Sequence, residues 1–173
     1  MLSLTEDRRN KIAAILRESE EAVTGSSLAR QFDVSRQVIV QDIAVLRASG
    51  IQIVSTSNGY MIPKPRSRSH IRTLQTVHSG MASLEEELSI IVDYGGRVID
   101  VMVEHPVYGE IVVALMINSR ADLEVFLKKV RDSEAIPLSS LTDGKHYHTI
   151  EVPDSHVFNK IESKLKERGF IPT

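Results

Sequence analysis

The densest chemistry in these 173 residues is the triplet His146-Tyr147-His148. On a β-strand alternate side chains share a face, so the two imidazoles project together while Tyr147 turns the other way. Two imidazoles at that spacing can chelate one metal ion, and the plainer alternative is a pair flanking an exposed hairpin. His78 and Glu86 favour chelation, because His78 closes a strand pattern and Glu86 lies in the first turn of a helix that must pack beside that strand. Glu86 has a second reading, since Ser83-Leu84-Glu85-Glu86 has the form of a capping box whose carboxylate satisfies a backbone donor. Cysteine is absent, so thiolate nucleophiles, thiolate metal sites and disulfides are excluded, and any metal rests on histidine and carboxylate. The other histidines read as structural: His105 before Pro106 in a turn, His156 in a first helical turn, His70 in a linker.

The elements that must position these residues follow from periodicity and punctuation. Leu74 to His78 reads as a strand, and Ser83 to Asp93 as a helix stopped by Gly95-Gly96. Residues 98–104 and 110–117 read as strands joined at Pro106-Val107-Tyr108-Gly109. Ser119 caps a helix that buries Leu123, Phe126, Leu127 and Val130. Pro137 to Leu141 and His146 to Val152 read as a strand pair turned at Asp143-Gly144. Asp154 caps a last helix with Val157, Ile161 and Leu165 at helical spacing, ending near Gly169. The pattern predicts an α+β domain with helices packed on a mainly antiparallel sheet.

The first third of the chain has a different texture. Residues 5–19 and 26–32 read as two helices, and Asp33-Val34 turns the chain into a third, from Ser35 to Ser49. Ile39, Ile43 and Leu46 form its apolar stripe, Ser35 suits the N-cap, and Gly50 suits the left-handed residue beyond its end. Arg36, Gln37 and Gln41 project from its early turns, and arginine and glutamine are the side chains that read guanine and adenine edges. Two short strands around Asn58-Gly59 then make a hairpin wing. Ser35, Arg36, Gln37 and Gln41 are therefore the candidate DNA-binding residues of a winged helix-turn-helix domain.

Composition sets the bounds. The chain is 42% hydrophobic and 25% charged, with a net charge of −2, ordinary for a soluble protein and mildly adverse to nucleic-acid binding. Distribution answers the objection, because the acids gather in and after the first helix, while Pro63 to Arg72 carries four positive residues and no acid. Its prolines, serines and charges mark a linker, so the expected domains are residues 1–63, a basic linker 64–72, and 73–173. No apolar run approaches a membrane span and no signal peptide precedes the polar start, which fits a cytoplasmic protein.

Leu28-Ala29, Val34-Ser35-Arg36-Gln37, Asp42-Ile43, Leu46, Gly50-Ile51 and Gly59-Tyr60 resemble the winged helix of biotin-repressor-like bacterial regulators. The second half resembles the three-histidine ligand-binding domain of niacin-responsive transcriptional repressors. That resemblance is carried by Thr76-Val77-His78, Glu85-Glu86-Glu87, Asp93-Tyr94-Gly95-Gly96, His105 to Gly109, and Leu141 to Ile150. It implies one divalent transition metal per chain, zinc, nickel or iron, held by His78, Glu86, His146 and His148. It further implies nicotinic acid as co-repressor, NAD biosynthesis or niacin salvage as the regulated process, and a homodimer on a palindromic operator. The acid's carboxylate would be read by the metal or by a cation such as Arg72 or Lys145. A rival reading makes the second half a small metal-dependent hydrolase, with Glu85, Glu87 or Asp143 as base.

Overall fold

A computed structural model describes residues 4–64 and 69–172 and falls into two compact units, Met1–Lys64 and Pro65–Thr173. In the first, α1 (Leu4–Glu18), α2 (Gly25–Gln31) and α3 (Arg36–Ala48) precede a hairpin of β1 (Val54–Thr56) and β2 (Gly59–Met61). Thr24 and Ser35 cap α2 and α3, accepting from Ser27 N at 3.1 Å and Val38 N at 3.3 Å. Ile12, Leu16, Leu28, Ile39, Ile43, Leu46 and Ile53 form the core, with Val34 packed at the corner between α2 and α3. Each such aliphatic side chain contributes about 1.5 to 3 kcal/mol on burial. The hairpin is tied to the helices by Val23, which exchanges backbone hydrogen bonds with Tyr60 at 2.8 and 2.9 Å. Gly59 permits this approach, since a Cβ there would stand 2.4 Å from the Val23 carbonyl oxygen.

The second unit runs β3 (His70–Val77), α4 (Met81–Asp93), β4 (Arg97–His105), β5 (Gly109–Ile117), α5 (Arg120–Ser133), a 3₁₀ turn (Leu138–Thr142), β6 (Lys145–Val152) and α6 (Ser155–Glu167). Its four strands lie in the order β3-β6-β4-β5, every neighbouring pair antiparallel. Leu74, Val98, Ile117, Ile150 and Val152 meet Leu88 and Ile91 of α4, Leu123 and Leu127 of α5, and Ile161 and Leu165 of α6 in one apolar core. The α+β class and the antiparallel sheet with helices stand as the sequence predicts.

Three local expectations are corrected. Residues 137–141 are not a strand paired to β6: Leu138–Thr142 coils into a 3₁₀ turn, and β6 pairs with β3 and β4 instead. The Thr142 hydroxyl closes that turn on the Ser139 and Lys145 carbonyls. Helix α4 starts at Met81 after Gly80, so Ser83 is inside the helix and makes no capping box. Strand β3 begins at His70, where His70 and Arg72 pair with Val152 and Ile150; they are strand residues rather than linker. Arg66 and Arg68, which supply two of the linker's charges, lie outside the described residues.

Candidate functional site

Strand β6 sits between β3 and β4, with His146 opposite Thr76 and His148 between Leu74 and Val101. Both imidazoles point to the helix-covered face and are buried. Their orientation is fixed by the backbone. His146 Nδ1 is 2.8 Å from the Gly144 carbonyl oxygen, and His148 Nδ1 is 2.9 Å from that of Asp100. A carbonyl only accepts, so each Nδ1 carries a proton, and in the neutral ring each Nε2 presents a lone pair. The Gly144 carbonyl also accepts from the His78 backbone N–H at 3.2 Å, tying the end of β3 to the start of β6. Gly144 has φ +87°, and a Cβ on it would lie 2.4 Å from the His78 carbonyl oxygen, so glycine is required for the crossing.

The carboxylate these nitrogens meet belongs to Glu87. Its Oε2 is 2.5 Å from His78 Nε2, 3.1 Å from His146 Nε2 and 3.4 Å from His148 Nε2. Ligand atoms of His78, Glu87 and His146 all lie within 4.8 Å of one another. Phe170 closes over His78, with ring centroids 5.0 Å apart. The assignment of Glu86 to this cluster is therefore corrected. Glu86 turns outward, its side chain 38% exposed and paired with Arg168, while the Glu87 side chain is fully buried. The stripe of α4 explains this: Leu84, Glu87, Leu88 and Ile91 fall at i, i+3, i+4 and i+7 and all face the sheet. The same spacing is legible in the sequence and singles out Glu87.

With neutral imidazoles the cluster has too many acceptors for its protons. Among the described residues His148 Nε2 and Glu87 Oε1 are buried without a hydrogen-bond partner, and His146 Nε2 faces the Glu87 carboxylate and the Thr76 hydroxyl, the latter at 3.0 Å. In the metal-free cluster protons take the place of the ion: burial pushes the Glu87 carboxyl up, yet the charge of a protonated His148 and hydrogen bonds from the imidazoles outweigh it and hold the group well below the usual carboxylate range. Burial pushes His148 down, and the Glu87 carboxylate outweighs that and raises it. A convergence of imidazole lone pairs on a buried carboxylate is the donor set of a divalent transition metal, and the residues present fit such an ion.

Beside the cluster lies a cavity of about 190 Å³. Leu84, Val101, Phe126, Val130 and Ser139 line it together with His146 and His148, and among the described residues no Lys or Arg is on its wall. Neither cation named from the sequence reaches it: Arg72 stands over the Phe158 ring, and Lys145 over the ring of Tyr147, whose side chain is on the other face of the strand from His146 and His148.

In the first unit, Ser35, Arg36, Gln37 and Gln41 are exposed, and Ile39, Ile43 and Leu46 are buried on the other side of α3. Asp42 is buried among the apolar residues, a feature the sequence reading did not assign, and it accepts from Arg8 Nε at 2.7 Å and Arg9 Nε at 2.8 Å. These contacts set α1 against α3. Arg47 donates to the Ile53 carbonyl and the Ser55 hydroxyl, both at 2.7 Å, and so fixes the first strand of the hairpin to the helix. His105, read from the sequence as a turn residue, is the last residue of β4, and its Nδ1 holds the turn that follows by accepting from the Val107 and Tyr108 N–H groups.

Comparison with known proteins matches both units. An HTH domain model covers residues 8–61 and a 3H domain model residues 72–173. The chain is 40% identical over 168 residues to the transcription repressor NadR of Bacillus subtilis strain 168, spanning 95% of this chain and 93% of that protein. It is also 40% identical over 171 residues to the probable transcription repressor NiaR of Thermotoga maritima, spanning 99% and 97%.

Proposed function

The chain belongs to the niacin-responsive family of helix-turn-helix transcription repressors with a 3H domain, and from that premise we propose that nicotinic acid is its co-repressor, acting through a divalent ion held by His78, Glu87, His146 and His148. The relatives are transcription repressors rather than enzymes, which removes the hydrolase reading. The observation that carries the proposal is the meeting of two backbone-oriented Nε2 lone pairs with a buried carboxylate that has an orphaned oxygen. An ion held by these residues would supply positive charge there and, with a coordination number above four, would leave room for an effector. Four protein donors saturate a tetrahedral zinc, so nickel or iron suits the role better.

The chain's own residues divide the remaining work. Gly144 and Asp100 hold the two imidazoles in register, and the nearby cavity admits a small apolar ring. Arg36, Gln37 and Gln41 read operator bases from α3. A homodimer presents two such helices to a palindrome, with half-sites about 34 Å or a multiple apart. The regulated genes are those of NAD synthesis or niacin salvage. Nicotinic acid strengthens repression by binding the DNA-competent state more tightly than the others, which is the condition for any ligand to shift operator affinity.

The test is operator affinity at fixed salt, using sites selected by the full-length protein from random DNA. Nicotinic acid should tighten binding, nicotinamide far less, and the difference should vanish after chelation and in His78→Ala. Equal potency of acid and amide, or a niacin effect that survives metal removal, would overturn the proposal.

A further inference from the structure

Resting on the reading that an ion at the cluster receives nicotinic acid, we infer how the effector lies: its ring fills the cavity beside His146 and His148, its carboxylate points to the ion, and its ring nitrogen is left to Ser139. The volume fits one ring. Cavities of about 150 Å³ lined by aliphatic side chains accept benzene, and this one is about 190 Å³, with Leu84, Val101, Phe126 and Val130 on its wall.

Charge decides the orientation. With no Lys or Arg among the described residues lining the cavity, a carboxylate directed away from the cluster meets no cation on that wall. A carboxylate gains far more from a neighbouring cation than a neutral ring nitrogen does. The anion therefore goes to the ion and the nitrogen to the wall, where Ser139, itself buried, is the polar residue besides the two histidines. The opposite pose puts the nitrogen on the ion and the carboxylate at the exposed rim formed by Val113, Ala135 and Ile136. That rim offers no cation either, so such a pose gives the acid no advantage over its amide.

Titration calorimetry of the nickel-loaded full-length chain separates the two. Benzoate, which keeps the carboxylate and lacks the nitrogen, should bind within about tenfold of nicotinate. Nicotinamide and pyridine should bind far more weakly than benzoate. Ser139→Ala should weaken nicotinate about threefold to tenfold and leave benzoate unchanged. Val130→Phe, which fills the cavity from α5, should weaken both acids while the nickel content stays at one per chain. Pyridine or nicotinamide binding more tightly than benzoate would put the nitrogen on the ion and overturn the orientation. Unaltered nicotinate binding in Val130→Phe would move the ring elsewhere, and an unchanged nicotinate-to-benzoate ratio in Ser139→Ala would remove that residue. Failure of nicotinate itself to bind the nickel-loaded wild type would instead sink the underlying effector reading.

Discussion

Glu87 Oε2 faces His146 Nε2 at 3.1 Å, and with a neutral imidazole this sets an acceptor opposite an acceptor, because the single ring proton is committed to the Gly144 carbonyl. A cation resolves this opposition, and neighbouring glutamates then have unequal roles. Glu87→Gln should lower affinity for a divalent transition metal by at least about tenfold, whereas Glu86→Gln should leave it unchanged, since Glu86 pairs with Arg168 outside the cluster. Metal titration of the two variants checks this. Equal losses, or a loss confined to Glu86→Gln, would return Glu86 to the ligand set.

Gly144 makes a second test, independent of any ligand. A Cβ there meets the His78 carbonyl oxygen at 2.4 Å, whereas Gly109, with φ +71°, has open space around it. Both alanine variants carry the left-handed backbone penalty, and only Gly144→Ala adds a backbone clash. Gly144→Ala should cost about 1 to 3 kcal/mol more than Gly109→Ala in denaturant unfolding and should loosen metal by displacing His78 from His146. Equal stability of the two would show that the crossing of β3 and β6 has room to spare.

In the first unit, the exposed early turns of α3 are predicted to carry sequence discrimination. Arg36→Ala should cost about 1 to 3 kcal/mol at one operator position and relax specificity there. Arg47→Ala should act differently, since its guanidinium holds Ile53 and Ser55 of the wing: it should loosen the hairpin and weaken all DNA sequences alike. Binding to operator variants with single base-pair changes distinguishes the two. Unchanged selectivity in Arg36→Ala would take it out of direct readout.

What was legible in the sequence and what was not divides along local and non-local lines. Ser35, Ser119 and Asp154 were readable as N-caps because the acceptor and its N–H donor are three residues apart. The shared face of His146 and His148 followed from strand period alone. Pro137 to Leu141 imitates a strand because Asp143-Gly144 has the form of a hairpin turn leading into β6, while the actual partners of β6 lie about 50 and 70 residues earlier in the chain. Glu86 falls in the first turn only if the helix starts at Ser83, two residues after the observed start at Met81, whereas the stripe of Leu84, Glu87, Leu88 and Ile91 points to its neighbour whatever the start. Asp42 falls on the buried side of α3, yet its arginine partners are 33 and 34 residues away, beyond any local pattern.

That Asp42 pair also makes the stability of the first unit depend on pH. Burial pushes the carboxyl up, and hydrogen bonds from Arg8 and then Arg9 more than offset this, holding it below the usual carboxylate range. A carboxyl depressed in the folded state contributes stability above its unfolded pKa, near 3.9, and loses it as pH falls through the lower folded value. At neutral pH the contribution is therefore complete. Asp42→Asn should destabilise the helical unit by about 1.5 to 3 kcal/mol at pH 7, the range for hydrogen bonds to charged groups, and the gap between variant and wild type should narrow below pH 4. The measurement is unfolding followed by helical circular dichroism, from pH 7 down to pH 2.5. A gap that stays constant across that range would mean that Asp42 stabilises α1 against α3 by shape and neutral hydrogen bonding, without its charge.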